Sequence, residues 1–331
     1  MTCRISRAAV LSLAIGVAGI VTTFQAVAQA WPSKPVRIVA GFGAGGAGDT
    51  IARAIAEGLS GGLGQPVIVE NRPGGGAAGV LSVTLVSQAA PDGYTLGIGT
   101  SGPFGAGPAV SEMPWDPVGG FTHISLVSES PYFIVSSSAL PAASLPEVIK
   151  LIRANPGKYN YGSDGVGSTA HLAFELLKLR EKLFVVHIPY VTTPERLRAL
   201  LASEVQMGIY GPSAAVANLG KEGKLRVLAV TAPKRLETFP DVPTAGELGL
   251  PGFDVSSWVS VFGPAGLPKD ILARLNREVA STLQRPEVRS RIFASGQFVI
   301  RSTSPEELTS FIATQIKQWK DVVRQAGIKV Q

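Results

Sequence analysis

Short apolar, β-branched runs alternate with helical patterns along most of this chain, and that alternation restricts the fold more than any other feature. The runs Val36–Ala40 and Val67–Val69, for example, are separated by a helical pattern at about Thr50–Ser60. Strands and helices that alternate in this way are typical of α/β proteins, in which helices cover a largely parallel sheet. The sequence therefore predicts an α/β fold with mostly parallel sheets flanked by helices.

The alternation continues to residue 262 and then gives way to helices. Further strands are predicted at Thr95–Ile98, Ile124–Val127, Phe133–Val135, Val185–Ile188, Val205–Ile209, Leu225–Val230 and Ser257–Phe262. Further helices are predicted at about Ala78–Gln88, Leu145–Ala154, Ala170–Leu179, Pro194–Ala202 and Ala214–Glu222. Three helices, Pro268–Gln284, Pro286–Ser295 and Pro305–Gln325, then follow without a long strand between them.

The N-terminus has the organisation of a secretory signal peptide. Arg4 and Arg7 precede the apolar stretch Ala8–Val21, and small residues follow it. The stretch has about 14 residues, fewer than the roughly 20 that span a bilayer, although a retained anchor is the alternative. Cleavage after Ala28 or Ala30 would remove the single cysteine, Cys3, and leave no disulfide, thiolate nucleophile or lipid attachment site. We therefore expect an exported mature chain.

The mature chain of about 300 residues is longer than one hydrophobic core usually serves, which predicts two lobes. Apolar runs around Leu126–Val135 and Val255–Phe262 are the candidates for two crossings between lobes, and two crossings make a hinge. The predicted division is residues 1–30 as the signal peptide, 31–128 with 258–331 as the first lobe, and 129–257 as the second lobe. We expect the three C-terminal helices to cover the first lobe.

The charge is small and scattered. The formal net charge of +6 falls to +4 when Arg4 and Arg7 are removed with the signal peptide. Lysines and arginines occur singly or on helix faces, with no basic block, which predicts no nucleic-acid partner. A mild positive charge weakly favours an acidic small solute.

A glycine-rich stretch, AGFGAGGAGDT, follows the first predicted strand and leads into a helix. It matches G-x-G-x-x-G twice, and Glu70 ends the next strand, where a dinucleotide site places a ribose-binding acid. However, the carboxylate of Asp49 at the helix start would repel a pyrophosphate, and an exported chain lacks a nicotinamide pool. A purely structural turn is a second alternative. The interpretation we favour is a turn that offers its N–H groups to a small carboxylate.

A second stretch, NYGSDGVGSTAHLAFELLK, also runs from a strand through a Gly/Ser loop into a helix, which begins near Thr169. No acidic residue lies near that helix start. Two such loops, one in each lobe, would face each other across a cleft, and each helix start contributes roughly 0.3–1 kcal/mol to a nearby anion. The pair favours closure around a dianion or around a carboxylate with a polar tail.

Many ordered motifs resemble one known family. They include WPSKPVRIV with GGAGD, LGQPVIVENRPGGGAAG, APDGYTLGIGTSG, NYGSDGVGSTAHLAFE, HIPY, GKLRVLAVTAPKR, FPDVPTAGELGLPGFDVSSW and FGPAGLPKDILARLN. Together they resemble the extracytoplasmic solute receptors of tripartite tricarboxylate transporters, often called Bug-type receptors. The resemblance extends from Trp31 to the C-terminus.

The resemblance implies a two-lobed, Venus-flytrap periplasmic binding protein, type II-like, with a two-strand hinge. Such a receptor would deliver a small organic acid to a membrane permease as a monomer, without a cofactor and without catalysis. By motif position, the implied ligand-binding residues are Phe42, Ala44, Gly45, Gly46, Asp49, Thr100, Ser101, Ser163, Gly165, Gly167, Ser168, His171, Tyr190 and Tyr210.

The chain departs from the family pattern where specificity is expected. The first loop lacks the usual prolines of P-F-x-P-G-G, Val191 to Thr193 replace the K-G that usually follows the tyrosine, and Tyr210-Gly211 replaces a common Phe-Asp pair. The missing lysine argues against a tricarboxylate.

Several of these residues also have a purely structural interpretation. Asp49 is expected to cap and order its loop rather than touch a ligand, and His171 is as well suited to packing as to lining the cleft. An exported serine hydrolase that uses Ser101 or Ser168 with His171 is the enzymatic alternative. His123, His171 and His187 have no metal-ligand spacing, so no metal site is predicted.

Overall fold

The computed structural model describes residues 31–74, 79–190, 192–211 and 214–329. The predicted signal peptide, residues 1–30, lies outside the described residues, as does Val191. Within those that are described, every helix is too short or too polar to cross a lipid bilayer.

The described residues form strands and helices in the alternating order that the sequence predicts. The strands are β1 (Val36–Ala40), β2 (Val67–Asn71), β3 (Thr95–Thr100), β4 (Phe121–Pro131), β5 (Phe133–Ser137), β6 (Asn160–Ser163), β7 (Val186–Pro189), β8 (Met207–Tyr210), β9 (Leu225–Val230), β10 (Ser256–Pro264) and β11 (Val299–Ile300). The helices are α1 (Ala47–Leu63), α2 (Val80–Ser87), α3 (Gly107–Val110), α4 (Leu145–Ala154), α5 (Thr169–Glu181), α6 (Thr193–Leu201), α7 (Ala214–Lys221), α8 (Lys269–Thr282), α9 (Pro286–Ala294) and α10 (Pro305–Ala326).

The strands form two separate sheets, which confirms the α/β fold. The first has the order β11-β4-β10-β3-β1-β2 and the second the order β7-β6-β8-β5-β9. Both are mixed rather than mostly parallel. Strands β1, β2 and β3 pair in parallel, as do β6, β7 and β8, whereas β10 is antiparallel to β3 and β4, and β5 is antiparallel to β8 and β9. The antiparallel pairs arise at the strands that carry the chain between the two sheets. These strands are β4, β5 and β10.

The chain passes between the sheets twice, and Thr231 joins the two passages. Strand β4 stays in the first sheet as far as Pro131, beyond the predicted lobe boundary at residue 128, and β5 opens the second sheet at Phe133. The buried Thr231 hydroxyl accepts the Tyr132 N–H (2.8 Å) and donates to the Val255 carbonyl (2.5 Å). The two passages therefore form one hydrogen-bonded joint.

Each sheet has its own apolar core, and the last helix contacts both. Helices α8 and α9 pack on the first sheet through residues such as Leu275 and Ile292. Helix α10 packs there only through its first half, with Ile312, whereas Trp319 further along lies in the core of the second sheet. The expectation that all three helices cover the first lobe is therefore wrong for the end of α10.

One helical segment was not expected from the sequence. Residues Gly102–Ala106 form a π-helical turn that continues into α3, although glycine and proline disfavour helix. Phe104 and Ala106 are buried in the two cores, and such tertiary packing overrides the local preference. This segment reaches from the first lobe toward the second.

Candidate functional site

The first glycine-rich loop is held together by the carboxylate of Asp49. This buried side chain lies in the first turn of α1 and accepts hydrogen bonds from Gly45 N–H (2.9 Å), Arg53 Nε (2.8 Å) and Asn71 Nδ2 (2.8 Å). Gly45 has φ +80°, which favours glycine at that position. The hydrogen bond from Arg53, together with those from Gly45 and Asn71, lowers the pKa of Asp49 to about 2 against the opposing effect of burial.

The start of α1 is covered by a side chain. The Phe42 ring lies over Gly48, where an added Cβ would be 2.5 Å from the ring carbons. The backbone of Ala44, Gly45 and Gly46 is exposed beside it. Together with the ionised Asp49, the aromatic cover makes this helix start a poor site for an anion.

The second loop is held together by hydroxyl and imidazole groups instead. Ser168 caps α5, because its Oγ accepts the His171 N–H (3.2 Å) and donates to the Gly165 carbonyl (2.8 Å). Ser163 Oγ contacts the same carbonyl at 3.1 Å. Gly165 and Gly167 have φ of +100° and +81°, which bend the loop back toward the helix.

Two stacked histidines support this loop from inside the second lobe. His171 Nδ1 accepts the Gly167 N–H (3.1 Å), and His187 Nε2 lies 2.6 Å from Ser163 Oγ. The two rings stack with centroids 4.1 Å apart. Burial lowers both pKa values, and for His187 burial, His171 and Lys178 together lower the pKa to about 3. Both imidazoles are therefore neutral at neutral pH, and His171 serves the structural role rather than lining the cleft.

A cavity of about 670 Å³ lies between the two lobes. The first lobe lines it with Phe42, Val80, Thr100, Ser101, Gly102, Ala106, Gly107, Val110, Ser111, Glu112, Met113, Pro114 and Ser257, and the second lobe with Asp164, Val166, Gly167, Ser168 and Thr169. Val110 touches the second loop directly, since a Cβ on Gly167 would be 2.9 Å from a Val110 methyl. The lobes are thus in contact at one end of the cavity.

The start of α5 forms part of the cavity wall and can bind an anion there. The N–H groups of the first helical positions have no carbonyl partner inside a helix. The N–H groups of Thr169 and Ala170 have no acceptor among the described residues. The next N–H group, that of His171, donates to Ser168 Oγ. Two converging donors at a helix start suit a carboxylate oxygen.

The structure brings together five of the fourteen predicted site residues. Phe42, Thr100, Ser101, Gly167 and Ser168 line the cavity. The other predicted residues are not part of its wall; Ala44, Gly45, Gly46, Asp49, Ser163, Gly165 and His171 are the loop and anchor groups described above, and Tyr190 and Tyr210 lie deeper in the second lobe.

Tyr190 and Tyr210 do not face the cavity in this conformation. Tyr210 is buried, its hydroxyl donates to the Arg196 carbonyl (3.0 Å), and the Arg196 guanidinium lies 3.8 Å above its ring. Burial raises the pKa of Tyr210. Tyr190 is half-buried against the same core, and its N–H donates to the Ser163 carbonyl (3.0 Å). Both were predicted as ligand contacts from motif position, and packing within the lobe accounts for both.

Sequence reasoning missed several residues that line this cavity or contact its wall. Tyr132, at the first passage between sheets, interacts through its hydroxyl with Thr169 of the second lobe and Ser257 of the first, and burial raises its pKa to about 12. The sequence did not single out this tyrosine, because an aromatic residue between two strands looks like an ordinary residue of the hydrophobic core. Asp164 lies in the second loop, and Glu112 follows the π-helical turn and α3.

Two alternatives have little support in this geometry. Glu70 faces Arg37 (3.1 Å) and Arg72 rather than a ribose site. The serine and histidine side chains that pair are Ser163 and His187, and Ser163 is fully buried. Among the described residues, no group of three or more His, Cys, Asp or Glu side chains is arranged to hold a metal ion.

Two further cavities, of about 560 and 610 Å³, lie along α10. Neither is lined by a glycine-rich loop, and each is bordered by long charged side chains such as Lys317 and Lys320. They are open surface grooves without converging backbone donors, so the interlobe cavity is the stronger candidate.

Comparison with known proteins places the chain in a family. The chain is 34% identical over 325 residues to protein BugT of Bordetella pertussis, covering 98% of each chain. Among solved structures, it is similar to Rpa4515 of R. palustris with adipate (32% identity, 90% of this chain and 99% of that chain, TM-score 0.72). It is also similar to MatC of Rhodopseudomonas palustris with bound malate (34% identity, 88% and 100%, TM-score 0.69).

A third similar structure is the periplasmic binding protein BugD (31% identity, 91% of this chain and 100% of that chain, TM-score 0.69). The family model described as the tripartite tricarboxylate transporter family receptor matches residues 51–328. With this match over most of its length, the chain belongs to the receptor family of the tripartite tricarboxylate transporters.

Proposed function

We propose that the mature chain is a periplasmic receptor that captures a small organic carboxylate in the interlobe cavity and delivers it to the permease of a tripartite transporter. The start of α5 carries this proposal, because Ser168 and Thr169 line the cavity and the N–H groups of Thr169 and Ala170 have no acceptor among the described residues. The relatives with adipate and malate support a carboxylate as the ligand class. The receptor works as a monomer, without turnover and without a cofactor.

Binding begins at the second loop. A carboxylate accepts the Thr169 and Ala170 N–H groups, and the positive end of the α5 dipole favours its charge. Thr100 and Ser101 then offer hydroxyl groups from the opposite wall. Charge-assisted hydrogen bonds contribute about 1.5–3 kcal/mol each, so a few of them exceed the ordering cost of a micromolar complex.

Closure depends on contacts made with both lobes. A ligand shifts the open and closed populations only by its preference for the closed form. Thr231 keeps the two passages at a fixed spacing, and Val110 already touches the second loop. Rotation about this joint brings the wall residues of one lobe onto a ligand held by the other.

Calorimetric titration of the mature protein against mono-, di- and tricarboxylates, with NADH in the same panel, tests the proposal. We expect at least one carboxylate to bind, unchanged after incubation, and NADH not to bind. Ser168→Ala should weaken that binding by about tenfold. The matched control is Ser144→Ala, which removes an equivalent cap from α4 (Ser144 accepts the Glu147 N–H, 3.4 Å) away from the cavity. Equal loss in both variants, or no carboxylate binding at all, contradicts the proposal.

A further inference from the structure

The charged groups on the wall of the interlobe cavity are both carboxylates. Glu112 of the first lobe and Asp164 of the second lobe line it, and none of its described lining residues is a lysine, arginine or histidine. Glu112 is exposed and has no ion pair among the described residues, and it also borders the groove along α10 that Lys320 and Arg324 line. A ligand held at the start of α5 therefore meets negative charge elsewhere in the same cavity.

Asp164 is oriented by its own lobe. Its Oδ1 accepts the Thr193 hydroxyl (3.0 Å), and its Oδ2 lies 3.2 Å from Arg196 Nη2. Arg196 is fully buried, and its Nη1 donates to the Ile209 carbonyl (2.8 Å). This guanidinium is behind Asp164 and is already neutralised by it, so a second carboxylate on the ligand could reach the cation only by displacing Asp164.

Three kinds of ligand tail can be compared against this wall. A second carboxylate would be repelled by Glu112, and Asp164, which is paired with Arg196, would keep it from that cation. A neutral tail would exclude water from Glu112 while leaving its charge unpaired, which is unfavourable. A protonated nitrogen would form an ion pair with Glu112, so the charge of Glu112 would not be left unpaired.

We infer that the ligand of this receptor is a carboxylate that also carries one protonated nitrogen, and that Glu112 selects against a second carboxylate while Asp164 blocks the access of such a group to Arg196. The inference rests on the proposed function, because it assumes that the first carboxylate occupies the start of α5. It separates this chain from the relatives solved with malate and adipate. The apolar wall residues Val80, Val110, Met113 and Val166 suit a methylene chain between the two charged ends.

Two length-matched series of acids test the inference by calorimetry. The longer series is adipate, 5-aminopentanoate and hexanoate, whose shared methylene chain ends in a carboxylate, an ammonium or a methyl group. The shorter series is succinate, 3-aminopropanoate and butanoate. We expect the amino acid of at least one series to bind about tenfold tighter than the other two members of that series. Equal or tighter binding of the dicarboxylate or the alkyl acid overturns the inference while leaving the proposed function intact.

Two variants assign the preference to the wall residues. Glu112→Gln keeps the shape and should reduce the preference for the ammonium over the carboxylate by about threefold or more. Asp164→Asn exposes the charge of Arg196 to the cavity and should shift the preference toward the dicarboxylate. Glu237→Gln, an exposed carboxylate of the second lobe away from this cavity, is the matched control and should leave the ratio unchanged.

The outcomes separate the two proposals. An unchanged preference in both Glu112→Gln and Asp164→Asn, with each variant folded by circular dichroism, overturns the inference. Absence of binding by all six acids, and by the wider carboxylate panel, overturns the proposed function and the inference together.

Discussion

The two glycine-rich loops have similar sequences and similar positions before a helix, yet opposite kinds of groups hold them in place. The first is ordered by the ionised carboxylate of Asp49, whereas the second is ordered by Ser168 and two neutral histidines. A carboxylate at a helix start stabilises the helix but occupies the place of a bound anion. The neutral groups that hold the second loop leave the helix start open to a bound anion. We therefore propose that the second loop provides the anion site and that the first contributes a wall through Phe42.

The largest expected effect is on the first loop. Asp49→Ala removes three hydrogen bonds from a buried carboxylate and leaves Gly45, Arg53 and Asn71 without it. We expect a loss of about 3 kcal/mol in the free energy of unfolding, measured from the urea midpoint. Asp92→Ala is the control, since this exposed carboxylate accepts only the Tyr94 N–H (3.0 Å) and should cost less than about 1 kcal/mol. Equal losses would remove the basis for calling Asp49 the anchor.

The next effect concerns the contact between the lobes. Gly167→Ala places a Cβ 2.9 Å from Val110 at a residue with φ +81°. We expect a loss of about 2 kcal/mol in stability and roughly tenfold weaker ligand binding. Adding Val110→Ala should restore about half of the stability, because it relieves the collision but not the backbone strain. A double variant no better than the single one would show that the lobes do not meet at Val110.

The pH dependence distinguishes the two anchors. An unfolded histidine takes a proton below its ordinary pKa of 6.5, whereas native His187 does so only near its lowered pKa of about 3. Stability should therefore fall as the pH drops from 6.5 toward 3, by up to about 1.4 kcal/mol per pH unit. Asp49 acts at lower pH, since its contribution is full above 3.8 and is lost as the pH falls toward 2. Urea midpoints across this range should show a smaller upper phase in His187→Gln, with the remainder due to His123 and His171, whose pKa values burial also lowers; an unchanged upper phase contradicts the assignment.

The smallest effect is expected at Gly45. Its φ is +80°, close to that of Gly167, but a Cβ there would have no atom within 4 Å. Gly45→Ala should cost about 1 kcal/mol through backbone strain alone and change the ligand Kd less than about twofold. A tenfold change in Kd would mean that the first loop contacts the ligand more closely than the wall described here.

Local patterns in the sequence predicted the order of the strands and helices, but they predicted the pairing of the strands less well. The period of the apolar runs predicted α1, β2 and α10 to within a few residues. The direction of β10 and the helical turn at Gly102–Ala106 were not predictable, because long-range packing decides both. The prediction of mostly parallel sheets holds for β1 to β3 and for β6 to β8, and the antiparallel remainder was missed for the same reason.

The parts of the site that one short segment forms were predictable from the sequence. The parts that form where the two lobes meet were not. Ser168 was readable as a cap followed by a helix, and Asp49 as a loop-ordering acid. Asp164 and Glu112 line the same cavity from segments far apart in sequence, and Tyr132 interacts with Thr169 and Ser257 of its wall. That Tyr210 lies outside the wall of this cavity was not predictable, because a motif position does not tell which face of a strand is buried.

A crystal structure of the mature protein with its tightest-binding acid tests the central claim most directly. The account predicts one ligand carboxylate about 3 Å from the backbone nitrogens of Thr169 and Ala170, inside the cavity that Phe42 and Val110 close from the other lobe. An acid bound only to the exposed backbone of Ala44 to Gly46, or in a groove along α10, would contradict it.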